Sequence, residues 1–299
     1  MRKTTMRYRV VVALLCIAFA QSARAQAADS AQHPTRETIG ALLERSTIGV
    51  PIGGNFKREV LFDARINAHF PIHIRECANR KVTLFVYCGL VGTMGVDVRM
   101  STDSSSPVRS PGYKPELRLY TRLPKMGPNT YGIFSIYHYS NGQEGPQIID
   151  DTVNLGYGSF NQTINLGFEV ASVLTDFQLA KVRLGTSRLG VDYFADPDSL
   201  NKADYGRYRV RWIGTGSVAT PVVESFVFLS VSAWPDGAHR ESAIEHLDFD
   251  ARVAWRFPIG GKFGNLGPYV GFYWGRDYLT MAYQRGNLSV VHIGLMGVN

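Results

Sequence analysis

Cysteine is scarce in this chain, with three in 299 residues, and one of them, Cys16, lies close to the amino terminus. So few cysteines exclude a small domain held together by several disulfides. The other two, Cys77 and Cys88, do not have the spacing of a metal site. They allow a single disulfide if the chain enters an oxidising compartment.

Long apolar runs are missing beyond residue 25. The first 25 residues combine a basic start, the apolar run "VVVALLCIAFA" and an Ala-Arg-Ala sequence, and they predict a secretory signal that is removed after Ala25. No later run approaches the roughly 20 apolar residues that a membrane-spanning helix needs. If the mature chain meets a membrane, it must cross it with strands.

A large excess of charge of one sign is also missing from the mature chain. The formal net charge is +7, but five of the 32 basic residues and none of the 25 acidic ones precede residue 26. The remaining 27 basic and 25 acidic residues give a net charge of +2. Such a balanced surface offers no basic patch for nucleic acid, so we exclude nucleic acid as a partner.

What the chain has in abundance is alternation of apolar and polar residues. The segment "PELRLYTRL" (115–123) puts leucines on one face and Glu116, Arg118 and Arg122 on the other. The segments "RYRVRW" (207–212) and "LDFDARVAWRF" (247–257) repeat the pattern, with arginine and aspartate on the polar face. A period of two predicts β-strands, and turn-rich sequences separate them to the end of the chain.

These strands favour a membrane barrel over a soluble sandwich, although both alternate. The polar faces are charged, aromatic residues gather near strand ends, and a closed barrel leaves no strand edge exposed. We therefore predict an all-β fold, a transmembrane antiparallel β-barrel in the outer membrane of a Gram-negative-type cell. Residues 1–25 would be the signal peptide, 26–55 a periplasmic lead-in with a short helix near "TIGALLERS", and 56–299 the barrel.

Two polar residues stand on the apolar face of the strand "YGIFSIYHYS" (131–140). The period of two puts His138 and Ser140 beside Phe134 and Ile136, on the face predicted to meet lipid. Positions i and i+2 lie about 7 Å apart on a strand, so an imidazole can reach a hydroxyl. Such a pair is the activated nucleophile of acyl transfer, and it needs a third group to orient the ring. Alternatively, both residues mark the boundary with water.

The motif "YHYSNG" (137–142) resembles the His-x-Ser-Asn-Gly signature of the outer membrane phospholipase A family. "SSPVRSPGYKPELRL" (105–119) and "GSFNQT" (158–163) resemble two other family segments in the expected order, with Phe160 in place of a tryptophan. The ending "LTMAYQRGNLSVVHIGLMGV" is similar to the family's last hairpin. The resemblance implies a barrel of about 12 strands that hydrolyses acyl esters of membrane phospholipids as a calcium-bound homodimer.

The resemblance also implies roles for individual residues. Ser140 would be the nucleophile, His138 the general base, and Asn161 the residue that orients the imidazole. An asparagine can do so because its carbonyl accepts a hydrogen bond from the ring. The oxyanion hole would be formed around Asn141, Gly142 and Gln143.

The implied calcium ligands are oxygen atoms, as a hard cation requires. They would come from Gln143 and from Ser105 of the partner subunit. The family's other calcium-binding serine corresponds to Tyr157 here, and the loop that precedes it is longer than in the family. Asp150 and Asp151 in that loop could supply the missing oxygen ligands, or they could be part of a solvated loop.

The face on which Asn161 lies is open. The apolar residues of "FNQTINLGF" (160–168) alternate so that Asn161 falls on the lumen side together with Asn165. Either a bulge near Ser159 turns Asn161 outward, or another residue, Glu169 or Asn154, orients the imidazole.

Two other functions remain open from the sequence. A lipid A deacylase carries a similar His-x-Ser-Asn motif with a glutamate as the third member, and a non-enzymatic barrel would keep the motif without the chemistry. The polar residue that the family uses across its dimer contact aligns near Thr93, where no glutamine is present. The homodimer therefore rests on the resemblance alone.

Overall fold

The computed structural model describes the chain in fifteen stretches. The predicted signal peptide, residues 1–25, lies outside them. The described residues are 35–53, 60–77, 85–101, 111–127, 129–140, 148–149, 152–153, 161–174, 178–179, 182–195, 206–220, 223–236, 246–257, 266–275 and 288–297.

Within these stretches the chain forms one helix and fifteen strands. The helix is α1 (Thr35–Leu42). The strands are β1 (Thr47–Ile52), β2 (Val60–Ile74), β3 (Val86–Ser101), β4 (Gly112–Arg122), β5 (Thr130–Ser140), β6 (Ile148–Ile149), β7 (Thr152–Val153), β8 (Asn161–Val173), β9 (Gln178–Leu179), β10 (Val182–Phe194), β11 (Tyr208–Ala219), β12 (Glu224–Ala233), β13 (Leu247–Arg256), β14 (Leu266–Gly275) and β15 (Leu288–Gly297).

Twelve of the strands join into a closed antiparallel barrel. Each long strand pairs with its neighbours in chain order, and β1 pairs with β15 to complete the ring. The two-residue strands stand apart, since β6 and β7 pair only with each other and β9 extends the pairing of β10. The prediction of an all-β antiparallel barrel of about 12 strands is confirmed. No helix in the described part of the chain is long and apolar enough to cross a membrane.

The strand directions define two ends of the barrel. β5 begins at Thr130 beside α1 and finishes at Ser140, and β3 and β10 run the same way. We call the end where α1 lies the helix end, and the end where β3, β5 and β10 finish the loop end. The candidate site residues on β5 therefore lie at the loop end.

Side chains alternate between the outer wall and the lumen along each strand. On β14, Val270 and Phe272 are exposed, whereas Tyr269 and Tyr273 are buried. Charged residues turned inward are paired, as in the contact of 2.8 Å between Nε of Arg99 and Oδ1 of Asp63. This arrangement follows from the surroundings, since lipid accepts apolar side chains and a buried charge is stable only with a partner.

Residues 35–46, which belong to the predicted lead-in segment, lie inside the barrel. Ile39 and Leu42 of α1 are 1% and 0% exposed and pack in the core cluster at the helix end. Nη1 of Arg188 on β10 donates a hydrogen bond to the carbonyl of Leu42 at 3.0 Å. The first barrel strand then begins at Thr47, earlier than the predicted start at residue 56. The apolar face of the helix explains this position, because it needs a buried partner.

A disulfide ties the connection between β2 and β3 to this helix. Cys77 and Cys88 are bonded, with 5.2 Å between their Cα atoms, and both are buried against α1. Oγ1 of Thr35 donates to Glu76 at 2.9 Å and accepts the backbone N–H of Cys77 at 3.1 Å. The helix is therefore fixed at its start as well as along its apolar face.

Candidate active site

Strand β5 holds His138 and Ser140 at the loop end. Phe134 and Ile136 on the same strand are 45% and 48% exposed on the outer wall, and Ile133 and Tyr137 beside them are buried. Tyr137 and Tyr139 are buried, so inward and outward side chains alternate up to the end of the strand. His138 and Ser140 are half-buried and continue the outer face.

A β-bulge brings Asn161 opposite Ser140. Tyr137 pairs with Asn165 on β8, but Tyr139, two residues later, pairs with Gln162, three residues earlier. β8 therefore carries one extra residue between Gln162 and Asn165. Ser140 and Asn161 are then direct cross-strand partners.

The observed bulge is not at the place that the sequence suggested. The sequence placed a bulge near Ser159 as one of two solutions, whereas the observed shift lies between Gln162 and Asn165. Asn165 remains on the lumen side, where it is fully buried. The register therefore brings the backbones of Ser140 and Asn161 together, at the end of β5 and the start of β8.

Inward residues hold this corner from the lumen side. The hydroxyl of Tyr139 donates to Oδ2 of Asp97 at 3.4 Å. The ring of Tyr137 packs with Phe194, and Nζ of Lys114 lies 4.8 Å from the centre of the same ring. Because both tyrosines are anchored inward, the residues that alternate with them are held outward. Sequence reasoning did not identify these supports, since they join residues that are distant in the chain.

An apolar groove of 450 Å³ runs along the outer wall beside His138. Gly92 on β3 and Pro115 on β4 are among the residues that line it. The groove leads from His138 across β4 and β3 to β2, so it lies on the wall that faces lipid. Apolar side chains form its sides, namely Phe70, Met94, Leu117, Ile136 and Ile164.

Glu169, a reserve candidate for the third triad position, is committed elsewhere. Its carboxylate lies on the lumen side of β8 and is bound by Arg188 and Arg211. Thr93, which aligns with the family's dimer contact, is buried and hydrogen-bonded to Nδ1 of His69 at 2.9 Å. Glu169 is therefore engaged by arginines on the lumen side, and Thr93 also faces the lumen.

Several predicted site residues lie outside the described part of the chain. Among the described residues no group of three or more His, Cys, Asp or Glu side chains could hold a metal ion. All the calcium ligands that the resemblance implies lie outside the described residues. The predicted residues outside the described stretches are Ser105, Asn141, Gly142, Gln143, Asp150, Asp151, Asn154 and Tyr157.

Comparison with solved structures finds the same barrel in other proteins. Outer membrane phospholipase A from Escherichia coli matches with a TM-score of 0.54 at 14% identity, over 86% of this chain and 97% of that one. The calcium-bound dimer of the Salmonella typhi outer membrane phospholipase matches with a TM-score of 0.53 at 13% identity, over 89% and 99%. The NanC porin gives a TM-score of 0.45 at 8% identity, too weak for an argument.

Comparison at the level of sequence finds less. No protein-family model matches the chain, and no curated protein matches it. Structural similarity at 13–14% sequence identity supports a common fold, but it does not show a common activity. The chain therefore has the closed 12-stranded fold of outer-membrane phospholipase barrels.

Proposed function

We propose that the protein is an outer-membrane phospholipase that hydrolyses acyl ester bonds of phospholipids. The observation that carries the proposal is the pairing of Ser140 with Asn161 across the bulge, next to His138. A serine, a histidine and an asparagine at one corner are the residue types that acyl transfer needs. Their position on the outer wall suits a substrate that is part of the membrane.

The chemistry would follow from these three residues. His138 takes the proton from Oγ of Ser140 as that oxygen attacks the ester carbonyl, and it then protonates the departing lysolipid alcohol. Water, deprotonated by His138, attacks the acyl-serine, which releases the fatty acid and restores Ser140. Asn161 would accept a hydrogen bond from the imidazole and hold its orientation. Backbone N–H groups of Asn141, Gly142 and Gln143 would stabilise the oxyanion.

The outer groove supports a lipid substrate. Its apolar side chains lie beside His138, and hydrocarbon is the surrounding solvent on this wall. A water-soluble ester would gain little from such a surface, whereas an acyl chain can remain in contact with apolar groups while its ester reaches Ser140. The likeness to phospholipase barrels agrees with this assignment at the level of the fold.

Calcium and a homodimer belong to the proposal through the family resemblance. Bound calcium would polarise the ester carbonyl or its oxyanion. Its proposed ligands are Ser105 of one protomer with Gln143, Asp150 or Asp151 of the other. The proposal also includes export by the signal peptide 1–25 and location in the outer membrane.

Release of fatty acid from phospholipid–detergent micelles tests the proposal. Refolded mature protein should release fatty acid with calcium and less with a chelator, and Ser140→Ala should abolish release. Ser289→Ala is the matched control, because Ser289 is an exposed serine at the loop end of β15. A folded wild-type barrel that releases nothing would refute the proposal, as would full activity in Ser140→Ala.

A further inference from the structure

Residues 35–46 occupy the lumen, and we call this segment the plug. Its apolar part is anchored at the helix end by Ile39 and Leu42. Glu44 and Arg45, near its end, make polar contacts inside the barrel before β1 begins. The plug is therefore fixed at one end by packing and at the other by polar contacts.

Glu44 is the polar anchor of the plug. Its carboxylate lies 2.8 Å from Nη2 of Arg118, 3.8 Å from Nζ of Lys114 and 3.9 Å from Nη1 of Arg211. Its backbone carbonyl accepts a hydrogen bond from Nε2 of His69 at 2.8 Å. Three barrel strands, β2, β4 and β11, thus bind this one residue.

The wall around Glu44 carries more positive than negative charge. Four cations and two carboxylates give this group a net charge of +2, which Glu44 lowers to +1 when the plug is in place. Without Glu44 this part of the lumen would favour small anions over cations, because the net charge of the surrounding group is positive. The group consists of Lys114, Arg118, Arg188, Arg211, Glu116 and Glu169.

Two luminal cavities meet at the plug. One, of 190 Å³, is lined by Trp234 and Asp248 near the loop end. The other, of 200 Å³, is lined by Arg183 near the helix end. Ala41 and Arg45 of the plug line both cavities. Thr186, Thr215, Phe228 and Met296 of the wall also line both cavities, so the two cavities adjoin each other where the plug meets the wall.

We infer that the barrel contains a latent anion-conducting path that the plug closes. When Glu44 leaves its cations, Ala41 and Arg45 move away and the two cavities join along a cationic wall. This function does not depend on Ser140 or His138, so it stands or falls separately from the phospholipase. Small inorganic anions such as chloride are the ligands that this wall would pass.

Conductance of planar lipid bilayers in KCl tests the inference on the full mature chain. Glu44→Lys places a fifth cation among the other four and should expel the plug, and Glu44→Gln removes the charge with little change of shape. Both should raise conductance over wild type, Glu44→Lys by at least about tenfold. Glu37→Lys is the matched control, since Glu37 is exposed on the same helix, and it should stay closed. In a KCl gradient the reversal potential should be closer to the equilibrium potential of chloride than to that of potassium.

Heat-dependent migration on SDS gels shows whether each variant is a folded barrel. A folded Glu44→Lys that stays closed would overturn the inference, as would a wild type that conducts as well as this variant. A conductance that selects potassium over chloride would contradict the inference that the path conducts anions. If Glu44→Lys does not fold, Glu44→Gln decides, because an unchanged conductance in that variant contradicts the role of the carboxylate.

Discussion

The hydroxyl of Tyr139 occupies the space that a β-carbon on Gly112 would need. Tyr139 stands between His138 and Ser140 on β5, so the glycine on β4 permits the ring position that holds both outward. Gly112→Ala should push the ring aside and lower the free energy of unfolding by about 1–3 kcal/mol. Fatty-acid release should fall as well. Denaturant midpoints and the micelle assay measure the two effects.

Gly92→Ala is the control for this change. A β-carbon at Gly92 would lie 3.7 Å from its nearest neighbour, an ordinary contact, so this variant should match the wild type in stability. An equal loss of stability in Gly112→Ala and Gly92→Ala would mean that displacement of the Tyr139 ring is not the cause of the destabilisation.

Removal of the imidazole should stop the chemistry without unfolding the barrel. We expect His138→Ala to lower kcat by roughly 10³-fold or more, and Asn161→Ala by a smaller factor, because one is the base and the other orients it. His73→Ala is the control, since His73 is exposed at the helix end and stacks on Tyr87. Activity of His138→Ala within a few-fold of wild type would exclude the triad.

Acid should release the plug only at low pH. Burial raises the pKa of the Glu44 carboxyl, but Lys114, Arg118, Arg211 and Arg188 outweigh it, and the pKa lies well below its ordinary value. A depressed pKa stabilises the docked plug above the ordinary carboxyl value of about 4.3, and this contribution is lost as the pH falls further. Wild-type conductance should therefore stay low from about pH 8 to 5 and rise only below about pH 4.

The same pH series in Glu44→Gln separates this carboxyl from the others. The variant has no group to titrate at this position, so its conductance should change less on acidification. A wild type that opens near pH 6 would point to a different group.

Reduction of the disulfide should loosen the helix end. Cys77 and Cys88 close a short loop, and a bond of this kind contributes about 2–3 kcal/mol in small loops. Both sulfurs belong to the cluster that buries Ile39 and Leu42, so the docking of α1 should weaken as well. The temperature of the gel-mobility shift, with and without reductant, measures the loss. The control is a double variant, Cys77→Ser with Cys88→Ser, which has no disulfide to reduce. If reductant lowers the transition temperature of this variant as much as that of the wild type, the reductant acts elsewhere.

The wall of the barrel could be predicted because its signal is local. Every wall residue faces either lipid or lumen, so a period of two in the sequence is a period of two in the structure. That rule gives the inward position of Glu116 and Arg118 and the outward position of Phe134 and Ile136. It also gives the outer face of His138.

The bulge and the plug could not be located in this way. The extra residue in β8 is set by pairing with β5, and nothing in the period of β8 itself shows where it falls. The contact between Glu44 and Arg118 spans 74 residues of sequence. A lone glutamate in a short helical stretch gives no sign that four cations from distant strands will surround it.

The ring is completed by strands from opposite ends of the chain. Residues 47–52 pair with residues 291–296, and no shorter separation can close the barrel. Chain entropy makes such a contact slow to form, so β1 must wait with an unpaired edge until β15 arrives. During that wait the nascent protein is an open sheet that can pair with other chains. The outer edge of β1 is therefore the site at which an incomplete barrel is exposed to aggregation.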